Sequence, residues 1–337
     1  MGALILSGAV TGVSYTQARK MDFDFHHFYR DARYVWDHAA LNPDRDNPDV
    51  LERRQLPFYL PVVALLLSPM TFAGVETAAA IWSLMHGAAL FAGLIVLHRW
   101  AFARAIDAAA ILGVACLAAL PAVYEAARFS QVSFIVLALL LVGFAALESG
   151  RKTTCGVLFG FAAVLKLLPA VLLIWLLLKR QWTALAVAAV CIVIVAGGPC
   201  LIVFGPRQTA EYHREWLADN FGQDGRRGLV DRAERNHFVD HRNQSIAAVV
   251  QRAFWPQHSA RAAWQPIAIS RAACVRISLS LATLLALGLA VTTRRPAAAL
   301  TRAARQAEFA AYLIAMLVFS PLLRQYYLVW CLPALLL

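Results

Sequence analysis

Long apolar runs dominate this chain and leave few folds open to it. They recur at 1–17, 56–73, 75–97, 106–124, 132–147, 154–178, 183–204, 274–292 and 307–337, built mainly of Leu, Ala and Val. Several reach the roughly 20 residues an α-helix needs to cross about 30 Å of hydrocarbon. None alternates with period 2, so the pattern of a membrane β-barrel is missing. In lipid every backbone N–H and C=O must be bonded within the protein, which leaves helices. With 60% hydrophobic and 15% charged residues, a water-soluble domain could not cover so much apolar surface. The expected fold is all-α: a polytopic helical membrane protein with about 9–11 membrane helices, short broken ones included.

The net charge of +11 invites a nucleic-acid reading, but its distribution argues otherwise. The basic residues sit in short connectors: His98-Arg99 with Arg104, Arg151-Lys152, Lys179-Arg180, and Arg294-Arg295 with Arg302 and Arg305. Cytoplasmic loops carry this excess of Lys and Arg. No soluble basic module exists to hold DNA or RNA, so the expected surroundings are membrane lipids and not nucleic acid. The six cysteines lie in or beside apolar spans without a CxxC pair, as small core fillers do. No metal and no cofactor is expected. Residues 1–17 lack a basic start and a small-residue cleavage site, so they read as a first membrane helix clipped at its start rather than a signal peptide. The chain stops inside the apolar run 331–337, which reads as a C-terminus short of one or more spans.

Placing the basic connectors inside puts 18–57, the turn 124–130 and 205–262 outside. The first and last of these are too long for simple hairpins, which marks them as functional loops of a single domain, 1–337. The run 154–178 would then put Lys179-Arg180 on the wrong face as one span. Lys166-Leu167-Leu168-Pro169 resolves this, because proline breaks the helix and the lysine marks a turn at the external surface. Ser320 through Tyr327 interrupts 307–337 in the same way. In the first loop Phe25, Phe28, Ala32, Val35 and Trp36 follow helical spacing, with Arg30, Asp31, Arg33, Asp37 and His38 opposite. That predicts an amphipathic helix lying along the membrane surface.

Chemistry-bearing residues gather around the carboxylate- and aromatic-rich stretch from Asp22 to Tyr29. Acidic side chains are expensive near a bilayer and rare there without a task. Asp24 reads either as a helix cap or as a base at the membrane face; Asp22 either shares the capping or is solvated. His26 and His27 are adjacent, so on a helix they point about 100° apart and cannot form a metal pair. Lys166, Arg324 and Arg128 either snorkel or meet an anionic group. Asn243 and Gln244 read as partners for a hydroxyl-rich ligand or as a cap. The topology places Asp24, Tyr59, Gln131, Lys166, Asn243 and Arg324 on one face. A base, two cations and several amides fit sugar transfer from a phosphate-bearing lipid. A lipid-linked sugar flippase or solute transporter is the alternative, and a non-catalytic scaffold a third reading. Sugar transfer requires Asp24 and Lys166 at the same end of the bundle.

These residues carry a family resemblance. Asp24-Phe25-His26-His27-Phe28-Tyr29 with Ala32 resembles the Asp-x-x-x-Phe-Tyr-x-x-Ala signature of glycosyltransferase family 87, a group of C-type membrane glycosyltransferases. Phe58-Tyr59-Leu60-Pro61 with 65–69 is similar to its Tyr-Pro-Pro segment, and 156–169 followed by Lys179-Arg180 is the nearest likeness. Asn243-Gln244-Ser245 and Ser320-Pro321 complete the order. Departures are Ser130-Gln131-Val132-Ser133 for Gly-Gln-Val-Asn, Leu60 for the first proline, and Arg324-Gln325-Tyr326-Tyr327 where histidines are common. The resemblance implies a C-type fold and an inverting transfer of a hexose, with mannose expected, from a polyprenyl-phosphate sugar to a lipid- or glycan-linked hydroxyl. It implies a multi-pass protein of the bacterial inner membrane, working on its outer face. Asp24 is the implied base, and Asp22, Tyr29, Tyr59, Gln131, Lys166, Asn243, Gln244 and Arg324 the implied substrate-binding residues.

Overall fold

The computed structural model describes residues 2–38, 41, 59–101, 108–221, 243–255, 269–320 and 323–336. All regular elements among them are helical: α1 (Gly2–Arg19), α2 (Phe23–His38), α3 (Pro61–Leu67), α4 (Val75–Ala101), α5 (Ala108–Arg128), α6 (Ser133–Glu148), α7 (Lys152–Leu165), α8 (Val171–Leu178), α9 (Trp182–Phe221), α10 (Ile246–Phe254), α11 (Arg271–Thr292) and α12 (Arg302–Val318). Single 3-10 turns fill joints such as Ser68–Thr71, Leu168–Ala170 and Gln325–Cys331. Apolar stretches in α4, α9 and α11 are long enough to cross a bilayer, and shorter apolar helices run at Pro61–Thr71, Ser133–Glu148, Lys152–Leu165 and Leu168–Leu178. The all-α membrane architecture expected from the apolar runs is the one adopted.

The outer surface suits lipid. On α11, Leu279, Leu281, Leu284, Leu285 and Leu287 are all exposed, and only 11% of its most apolar stretch is buried. Apolar area left in water forfeits about 25 cal/mol per Å², a penalty that hydrocarbon removes. Inside the bundle, small residues bring backbones together. A Cβ on Gly156 would lie 2.5 Å from the Ala184 carbonyl oxygen, and one on Gly160 2.7 Å from that of Ala188. This small-xxx-small stripe is how α7 and α9 pack without a hydrophobic force between lipid-immersed helices.

The expected break in 154–178 is present. α7 ends at Leu165, Lys166 turns extended (φ −154°, ψ 128°), and Pro169 opens the short turn before α8. At 1.5 Å per residue α7 rises about 21 Å and α8 about 12 Å, both short of about 30 Å of hydrocarbon. The pair is a hairpin that enters from one end and carries Lys166 at its tip. α9 also bends. Gly205 adopts φ 74°, ψ 171° ahead of Pro206, so the span continues at 206–221 as a second helix inside the expected loop 205–262. Residues 222–242 of that expected loop lie outside the described residues.

At the opposite end of α7 and α8 the connectors around Glu148, Lys179 and Arg295–Arg305 meet. Two of them are not free surface charges. The Lys179 side chain is fully buried; its Nζ donates to the carbonyl of Thr293, at the end of α11, and to that of Arg295 (2.8 Å), and it pairs with Glu308 of α12. Arg305 grips Glu148 with two bonds of 2.6 and 2.8 Å. Cations near helix C-termini are favoured by the exposed carbonyls there. Removing one partner from a buried pair strands the other, at a cost of about 3–5 kcal/mol. Lys179→Ala is therefore expected to lower the melting temperature in detergent, read by intrinsic fluorescence. The neighbouring Arg180, exposed at φ 55°, provides the contrast: Arg180→Gly should leave the melting temperature unchanged or raised.

The amphipathic α2 forms where its spacing predicts, with Phe25, Phe28, Ala32 and Val35 buried. Its apolar face, however, covers protein rather than lipid. Phe28 meets Trp82 of α4 at 5.3 Å and Tyr59 edge-on at 5.0 Å. Trp36 stays exposed and packs against Phe72 (5.7 Å), and Arg33 pairs with Asp37 on the outer face.

Candidate active site

Two helix ends deliver the first polar groups. α1 closes with Met21 in the left-handed region (φ 56°); Met21 N–H bonds Ala18 O and Asp22 N–H bonds Gln17 O. α5 closes identically at Ser130 (φ 51°), with Ser130 N–H on Ala127 O and Gln131 N–H on Ala126 O. Both are Schellman caps, normally filled by glycine. A non-glycine residue there is strained by about 1–2 kcal/mol, so its surroundings must hold it. The first cap turns the chain into α2, placing Asp24 in that helix's opening turn. The second aims Gln131.

Gln131, 2% exposed, is the hub. Its Oε1 accepts from Lys166 Nζ (3.2 Å) and from the Tyr59 hydroxyl (3.4 Å). Lys166, 8% exposed, stands 4.0 Å from the Tyr327 ring centre, with Trp330, Tyr326 and Tyr59 at 5.6, 5.9 and 5.9 Å. Aromatic faces attract a cation and replace part of its lost hydration. Tyr327 and Trp330 share a 3-10 turn, whose period stacks i over i+3, so both rings address the same ammonium.

Asp24 is half-buried and within electrostatic reach of Lys166 and Arg324. Burial pushes its carboxyl up from 3.8 to about 6, against the downward pull of those two cations. Burial, with Asp24 and Tyr326 adding to it, also holds the Tyr59 phenol well above its ordinary value, so it remains a hydrogen-bond donor. The result is a carboxyl raised by burial, within electrostatic reach of two basic side chains and a tyrosine hydroxyl.

The structure brings together Asp24, Tyr59, Gln131, Lys166 and Arg324 from the residues singled out in the sequence. Asn243 lies beside them with a framework task. Its Oδ1 accepts from the backbone N–H of Ser245 (3.0 Å) and Leu323 (2.9 Å), while its carbonyl accepts from Arg252 (2.6 Å). Gln244 is exposed, its N–H bonds Leu323 O (2.9 Å), and Arg252 reaches its Oε1 (3.4 Å). Together they seat the residue before Arg324, and Ser245 caps α10 through Ala248 N–H. Asp22 is exposed ahead of α2. Tyr29 is five residues from Asp24, about 140° around the helix, and rests on Phe25 (6.0 Å). The residue sharing Asp24's face is Phe28.

Sequence reasoning missed Tyr326, Tyr327 and Trp330 as the housing of Lys166. The available signal was an aromatic i, i+1, i+4 cluster following a basic residue inside an interrupted apolar run.

An all-helical membrane protein that gathers a carboxyl, two basic side chains and a group of aromatic rings has the makings of a group-transfer enzyme. A profile of glycosyltransferase family 87 matches residues 58–323. The chain belongs to that family and is a membrane glycosyltransferase. No curated protein and no solved structure matches it.

Proposed function

We propose that this enzyme transfers a hexose, mannose first among candidates, from a polyprenyl-phosphate sugar to a lipid- or glycan-linked hydroxyl on the outer face of the cell membrane. One observation carries the reading: Asp24 and Lys166 lie within electrostatic reach of each other, with Arg324 beside them. The acceptor oxygen attacks the anomeric carbon while Asp24 takes its proton. The bond to the phosphate oxygen breaks, and its electrons leave on a lipid phosphate that needs charge stabilisation rather than a proton. Lys166 and Arg324 supply that stabilisation. A single in-line displacement inverts the anomeric centre. The outward placement is supported by the site lying at the end of α6 and α7 opposite the convergent basic connectors.

The test is to incubate purified protein with a panel of radiolabelled polyprenyl-phosphate sugars and membrane extract, and to determine the product anomer by NMR. Mannose is expected to move, with inversion. Failure of every sugar in the panel would remove the donor assignment, and retention would remove the single displacement.

A pH profile follows from the same geometry. Asp24 must be deprotonated to act, and its carboxyl titrates at about 6. kcat/KM should fall about tenfold per pH unit below that point. An acid limb near the ordinary carboxylate range would mean that the working base is not Asp24.

A further inference from the structure

Ser130 in its left-handed conformation raises the question of what holds it there. Its carbonyl accepts from Trp82 Nε1 (3.0 Å), and its hydroxyl lies 3.5 Å from that of Ser14, which in turn sits 2.9 Å from His86 Nδ1. Ser14, His86 and Ser130 are each 0% exposed and Trp82 1%. A histidine buried this deeply in an apolar span is costly without a reason. Among the described residues His86 Nε2 has no hydrogen-bond partner, and the ring bonds Ser14 through Nδ1 while packing on Trp82 (4.9 Å) and Phe134 (5.8 Å). One helical turn apart on α4, the two side chains form a pillar. On one side the Trp82 ring supports Phe25 (6.4 Å) and Phe28 (5.3 Å) of the helix bearing Asp24. On the other its N–H holds the turn bearing Gln131.

We infer that Trp82 and His86 are positioning residues for sugar transfer: they lock Ser130 in its left-handed turn and so aim Gln131 at Lys166 and Tyr59, while fixing the spacing between that cluster and Asp24. Neither touches substrate. The inference rests on the transfer reading above and extends it to residues in the membrane interior that none of the family's resembling motifs includes.

Glycine adopts the left-handed region without strain, which supplies the discriminating experiment. Transfer of mannose from a polyprenyl-phosphate donor is measured for Trp82→Phe, His86→Leu and His86→Asn, each alone and combined with Ser130→Gly, at matched folded fraction judged by thermal denaturation. Trp82→Phe keeps an aromatic ring and loses the N–H, and should cost on the order of tenfold in kcat/KM, a size typical of a lost positioning bond. The loss should fall on the donor parameters and spare the acceptor KM. His86→Asn places an amide where Nδ1 stands, so it should recover most of what His86→Leu loses. Relative to Ser130→Gly alone, the Trp82→Phe penalty should shrink to about threefold or less, because the turn then needs no lock. An undiminished penalty in the glycine background, or equal damage from His86→Leu and His86→Asn, overturns the inference while leaving the transfer reading intact. A wild-type protein silent toward every polyprenyl-phosphate sugar overturns both.

Discussion

Asp24→Asn is expected to fold, insert and bind, yet lose transfer by on the order of 10²- to 10⁴-fold, the usual contribution of a positioned general base. The amide matches the carboxylate in shape but cannot accept the acceptor's proton. Folding should not suffer, and the sign of the electrostatics says why. A carboxyl raised to about 6 holds its proton more tightly in the folded chain than in the unfolded one. Its contribution therefore favours the fold at low pH and is lost as pH rises through that value. At neutral pH the charged Asp24 weakens the fold, and the neutral amide relieves that burden. The measurement is a rate in membranes alongside a melting curve in detergent. Wild-type-like transfer by the variant would end the assignment of the base; a melting temperature far below wild type would end the argument that the carboxylate is not needed for folding.

Lys166→Ala carries the second large effect, a fall of about 10²–10³ in kcat, the size seen when one preorganised stabiliser of developing charge is removed. Its ammonium is held by Gln131 Oε1 and the Tyr327 ring, so under the proposed mechanism it need not reorganise as charge develops on the donor's leaving group. Lys166→Met keeps a straight side chain inside the aromatic housing and should lose the same factor, separating charge from packing. A coupled readout comes with it. Lys166 pulls the Asp24 carboxyl down, so either substitution should move the acid limb of the pH profile upward. A fall in rate with an unmoved limb would mean that the lysine acts away from the aspartate.

Much of the architecture was legible along the chain, and the reason is locality. The length of an apolar run, a proline beside a lysine, and the spacing of Phe25, Phe28, Ala32 and Val35 each constrain neighbours within a few turns. From these came the helices, the broken hairpin carrying Lys166 at its tip, and the amphipathic α2. The grouping of Asp24, Tyr59, Gln131, Lys166 and Arg324 at one end followed from counting helix directions between basic connectors. The caps at Met21 and Ser130 were hidden, because left-handed positions announce themselves only when glycine fills them. Lys179 and Arg305 read as loop charges, since nothing local tells a solvated cation from one clasped by Glu308 or Glu148.

The expense of putting polar backbone and charge into lipid decided, from residue order alone, that this chain would be helical and where its helices would break. Which helix ends meet, however, depends on side-chain packing between segments far apart, as where Lys166 reaches Gln131 and Trp330 donates to the Ser133 carbonyl. Those contacts made three aromatics a housing for one ammonium, turned Asn243 toward backbone, and put a buried tryptophan and histidine behind the turn that carries Gln131. Periodicity cannot encode them, because each depends on the shape of a surface that another part of the chain supplies.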